Sequence, residues 1–61
     1  MIKSVKVYDD GVSPIYWVEY EDGIVHIYDG YEVDLDELTD KLTLVYSSVK
    51  YCECWATYER R

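Results

Sequence analysis

With 61 residues the chain is one domain at most, because a domain of this length buries only roughly 60% of the surface its unfolded form exposes. Hydrophobic residues make up 49% of it, too many for a disordered polymer and enough for one layer of packing. A formal net charge of -7 repels phosphate, which argues against direct binding of nucleic acid or of an anionic membrane and favours a basic protein as partner.

In chain order, Ile2 to Tyr8 alternates, with Lys3, Val5 and Val7 on one side and Ile2, Ser4, Lys6 and Tyr8 on the other, and reads as a strand. Asp9 to Pro14 is a loop by composition. Ile15 to Glu21 and Ile24 to Tyr28 are rich in β-branched and aromatic residues and flank Asp22-Gly23, a strong hairpin signal. A two-residue turn there sets Glu21 opposite Ile24, Tyr20 opposite Val25, Glu19 opposite His26, Val18 opposite Ile27 and Trp17 opposite Tyr28. Tyr16, Val18, Tyr20, Val25 and Ile27 then form the core side. Trp17, Glu19, Glu21, Ile24, His26 and Tyr28 form a surface of aromatic and acidic groups.

From Asp34 the period changes. Leu35, Leu38, Leu42 and Val45 recur at three- and four-residue steps and predict a helix from Leu35 to Tyr46, capped by Asp34 with Glu37 three residues on and ended by Ser47-Ser48. Val49 to Tyr58 resumes alternation as a last strand, with Cys52, Cys54 and Ala56 on the side facing the helix and Tyr51, Glu53, Trp55 and Thr57 on the other. The expected fold is therefore α+β: a small antiparallel four-stranded sheet, in the order β-β-β-α-β, with one helix packed on one face. Its open face is expected to present Tyr8, Trp17, Tyr28, Tyr51 and Trp55 among Glu19, Glu21, Glu53 and His26. Large rings on an uncovered face mark an interface.

Chemistry has little to work with. Cys52 and Cys54, one residue apart, are too strained a pair for an i,i+2 disulfide, and Cys-x-Cys with the single His26 does not make up a metal site. Asp34-x-Asp36 opens like a calcium loop, but Thr39 and Val45 stand where that loop needs Gly and Glu. His26 opposite Glu19 reads as an exposed cross-strand contact. No phosphate loop is present, so a non-enzyme without cofactor or metal is expected. Met1 to Lys6 holds no apolar run of the kind a secretion signal needs, and no segment approaches a membrane span, which points to a reducing, cytoplasmic setting.

The remaining signal is the distribution of charge. Val7 to Asp40 holds eleven of the thirteen acids and no Lys or Arg, while Lys3, Lys6, Lys50, Arg60 and Arg61 make the ends mildly basic. Asp29, Glu32, Asp34, Asp36, Glu37 and Asp40 lead into and along the expected helix, and Glu19, Glu21 and Asp22 lie on the hairpin. Carboxylates so spread can replace duplex phosphates before Arg and Lys, which is the basis of DNA mimicry. In size and charge the chain resembles the small acidic inhibitors that phages encode against restriction, CRISPR or repair proteins. The expected partner is a basic, nucleic-acid-binding enzyme, inhibited or regulated through these acids with Trp17, Tyr28, Tyr51 and Trp55 as anchors. The alternative is an assembly module that forms a homodimer, or docks on another subunit, through the aromatic face. Solubility is the plainest use of the charge.

Overall fold

Alternation at the start of the chain does produce a strand, β1 (Ile2–Asp9), and it takes the middle of the molecule. The structure, a computed structural model, describes Met1 to Arg60; Arg61 lies outside the described residues. Four more strands follow, β2 (Ile15–Tyr20), β3 (Val25–Asp29), β4 (Thr43–Lys50) and β5 (Glu53–Glu59), with one helical turn, α1 (Leu35–Leu38), between the third and the fourth. All pair antiparallel in one sheet of order β3-β2-β1-β5-β4.

This corrects the expected fold, a four-stranded sheet under a twelve-residue helix. The helix begins where the pattern places it, with Asp34 accepting a hydrogen bond from the Asp36 N–H at 2.9 Å. It stops at Leu38. The Thr39 hydroxyl and N–H both return to the Leu35 carbonyl, at 2.8 and 3.0 Å, and Leu42 N–H closes a further turn on the Thr39 carbonyl. Thr43-Leu44-Val45-Tyr46, all but Leu44 β-branched or aromatic, then prefers a pleated sheet to a helix. Ser47 and Ser48, expected to end a helix, lie inside β4. The expected last strand is split by a turn at Tyr51-Cys52, where Tyr51 adopts a φ of 59°.

The hairpin register is also displaced by one residue. Tyr20 and Ile24 close a loop of three residues, Glu21, Asp22 and Gly23, through Tyr20 N–H to the Ile24 carbonyl and Gly23 N–H to the Tyr20 carbonyl, both at 2.9 Å. Gly23 supplies the left-handed conformation, φ 89°, that such a loop needs at its third position. Glu19 therefore opposes Val25, Val18 opposes His26, Trp17 opposes Ile27 and Tyr16 opposes Tyr28. A slip of one residue exchanges the faces of a strand. Val25 and Ile27, expected in the core, share a face with Trp17, while His26 and Tyr28 turn to the face of Val18.

One face is covered. Val5, Val7, Tyr16 and Val18 are its buried centre, and Val33, Leu35, Leu38 and Leu42 from the β3–β4 connection pack on it, with Ile2, Tyr20, Tyr28, Ala56 and Tyr58 around them. The leucine stripe read from the sequence thus does meet the sheet, although only its first turn is helical. Ile2 joins this side because the pairing of β1 with β2 shifts between Ile2 and Ser4. Cys52 and Cys54, expected against a helix, are both exposed. So thin a core leaves 4460 Å² of accessible surface, against about 4200 Å² for a globular chain of this mass.

Candidate functional site

Among the described residues, the other face has no layer over it. Register puts Tyr8 of β1, Ile15 and Trp17 of β2, Val25 and Ile27 of β3 and Trp55 of β5 on it together. Tyr8 lies directly opposite Trp55, their rings tilted at 4.5 Å between centroids. Trp55 reaches over β1 to stack on Trp17, 6.3 Å away and within 16° of parallel. The three rings form a continuous row across the three central strands. Trp55 is 38% exposed and Ile27 65%. Beside the row runs a shallow groove of about 360 Å³ lined by Ser4, Lys6, Trp17, Glu19, Val25 and Trp55.

Polar groups frame the rings. Ser4 donates its hydroxyl to Glu19 at 3.2 Å, which holds that carboxylate at the groove wall. Glu53 stands by Tyr8, whose phenol is pushed above its ordinary value of 10.0 by partial burial and then by the charges of Glu53 and Asp10. Lys6 sits between Trp17 and Thr57 and is the one cation lining the groove among the described residues.

Of the residues expected at a binding surface, Trp17, Trp55 and Glu19 are brought together here. Tyr28 is not: it lies on the covered side, stacked on His26 at 6.0 Å with its hydroxyl 3.5 Å from that of Tyr20. That contact raises the Tyr20 phenol above its ordinary value. His26, expected opposite Glu19, instead has Tyr28 on one side and the edge of Tyr20 at 5.2 Å on the other. Tyr51 projects from the β4–β5 turn, 91% exposed and away from the ring row. Val25, Ile27, Ile15, Ser4 and Lys6 belong to the face and were not foreseen as contacts. Gly23 at the end of a three-residue loop was the signal for the first two.

The acids do not line one helix face. Asp29, Asp34 and Asp36 gather with Asp9 around Tyr16, whose phenol is pushed up by burial first and by these four charges after it. From there the connection runs toward the opposite end of the sheet, and Glu37 and Asp40 line a groove with Met1 and Arg60. Glu21 and Asp22 occupy the hairpin loop at that same end, where Arg60 forms an ion pair with Glu21. Glu32 is exposed in the connection, its N–H on the Asp29 carbonyl at 2.9 Å.

Several of these aspartates serve the backbone. Asp9 accepts from Gly11 N–H, Asp22 from Ile24, Asp29 from Tyr31 and Asp34 from Asp36, all at 2.8 to 3.0 Å. Asp10 accepts from both Val12 and Ser13, and these hydrogen bonds hold its carboxyl below the usual 3.8. Much of the acid in the Lys-free stretch is thus what turns require, each Asp folding its own chain while keeping its charge at the surface.

No family model matches the sequence, and neither a curated protein nor a solved structure is similar to it.

Proposed function

We propose that this chain is a non-catalytic binding module that docks on a basic protein through the open face of its sheet. The observation that carries the reading is the Tyr8–Trp55–Trp17 row on a face that none of the described residues covers. Tyr and Trp offer large contact area at low entropic cost and concentrate the energy of protein interfaces. A shallow groove suits surface contact and does not enclose a reacting group. The sign of the partner follows from the charge of -7 and from Glu19 and Glu53 beside the rings, which steer a cationic surface toward them.

A nucleic-acid-binding enzyme is the basic surface this fits first, since Arg and Lys placed for phosphate accept carboxylates, and the chain then acts as its inhibitor or regulator. Glu19 and Glu53 supply that contact on the open face, and the carboxylates of Asp9, Asp29, Asp34 and Asp36 around Tyr16 add to the long-range field.

Titration against a panel of purified basic nucleic-acid-binding proteins, at low and high salt, tests the reading. The expected result is binding that weakens as salt rises and that falls by about thirtyfold or more in Trp17→Ala, Trp55→Ala. Absence of binding at low salt, or a complex indifferent to the double substitution, overturns it.

A further inference from the structure

The edges of the sheet differ in how they are guarded. β3 is five residues long, ends in Asp29 and is preceded by the acidic loop at Glu21 and Asp22. Short length and charge are the usual protections of an unpaired edge. β4 is eight residues long and holds no carboxylate; from Lys41 to Cys52 there is no Asp or Glu at all, in a chain of net charge -7. It exposes apolar side chains, Tyr46 at 57% and Val49 at 75%. Its one irregularity is a bulge, where Leu44 opposes Tyr58 and Tyr46 opposes Thr57, leaving Val45 extra. Beyond it Tyr46 to Lys50 pairs regularly with β5, so the free side of that run offers an orderly set of unpaired N–H and C=O groups.

We infer that β4 is a self-association edge, on which a second copy of this chain pairs antiparallel to join two sheets into one of ten strands. The occupant follows from the charges: two copies repel one another least at the one edge strand without carboxylates. The regular run sets the register. Centred on Ser48, it places Ser48 opposite its own counterpart and Tyr46 opposite Lys50 of the second copy. A ring thereby meets an ammonium, and the two lysines do not face each other. Ser48, Tyr46 and Lys50 lie on the side of Trp55, since they pair with Trp55, Thr57 and Glu53. The two-fold axis is perpendicular to the sheet, so both ring rows look the same way. This pairing is independent of the proposed docking and responds oppositely to salt, since screening strengthens contact between two anionic chains and weakens contact with a cationic one.

Sedimentation of the purified chain from micromolar to millimolar concentration tests the inference. The expected result is a dimer, tighter in high salt, that both Ser48→Glu and Ser48→Lys weaken by about tenfold or more, because an isologous contact sets either charge against itself. Mixing the two variants restores a dimer. Amide exchange of the unsubstituted chain reads the same contact without substitution, as concentration-dependent protection within Tyr46 to Lys50. A chain that stays monomeric at millimolar concentration in high salt overturns the inference. So does a dimer that both Ser48 variants leave intact, and so does one that only Trp17→Ala, Trp55→Ala dissolves, which is face-to-face packing.

Discussion

Val18 and Trp17 are neighbours in β2, and between them they divide the molecule. Val18 points into the covered face and is fully buried, with Val5, Val7 and Tyr16. Trp17 points the other way, onto a ring row open to water. The smaller side chain is enclosed in the core, and the larger is left on the surface. Few apolar groups are enclosed here, and they are mostly valines, so each carries an unusual share of the stability, whereas the bulkier rings rest on one another and are available to a partner.

Substitution can break this division. Val18→Ala removes two methyl-sized groups from the centre of the covered face and is expected to cost about 2 kcal/mol, a large part of what a domain of this size has; urea unfolding measures it. Trp17→Ala is expected to cost less stability than Val18→Ala while costing more binding, and the reverse order would erase the distinction between the two faces. Gly30→Ala probes how the covering segment is tied down. Gly30 donates its N–H to the Pro14 carbonyl at 2.8 Å, and a Cβ there would run into the Pro14 ring. A rigid ring cannot swing aside, so a loss of about 1 to 2 kcal/mol is expected, read as a lowered melting temperature with the ring row undisturbed. The smallest effect is at high pH. The Tyr16 phenol is raised above 10.0 in the folded chain, by burial first, so its contribution is complete below 10.0 and is lost as pH rises beyond it toward the folded value. Tyr16→Phe is expected to flatten that alkaline decline, and an unchanged decline would show that Tyr16 is not its source.

Local signals made the first three strands legible: alternation in β1, β-branched and aromatic runs in β2 and β3, and the Asp22-Gly23 turn between them. The face of β3 was not, because Asp-Gly serves two- and three-residue loops alike, and one added residue, Glu21, turns Val25 and Ile27 outward. The helix was half legible. Leu35, Leu38, Leu42 and Val45 fit a helical stripe, yet Thr39 satisfies the Leu35 carbonyl with its own side chain, and the β-forming Thr43 to Tyr46 finds a partner in β5, which only the folded chain provides. The β4–β5 turn bears no glycine where the backbone turns left-handed, at Tyr51, so no sequence signal marks it. Trp17, Trp55 and Glu19 were read correctly as neighbours on one face because β2 and β5 each keep strict alternation. The acids scatter because each loop uses aspartates of its own, Asp9 and Asp10 before β2, Asp22 in the hairpin, and Asp29 and Asp34 before α1.

The position of β1 has a consequence for synthesis. Its two neighbours are β2, made next, and β5, made last. The N-terminal meander β1–β2–β3 can form early, but the edge of β1 stays bare until Glu53 to Glu59 has left the ribosome. Those residues must then close the longest loop between paired strands. The sheet is thus complete only once β5 has been made, and truncation anywhere before β5 leaves a nascent sheet with an unpaired central strand, the form most open to aggregation and to proteolysis.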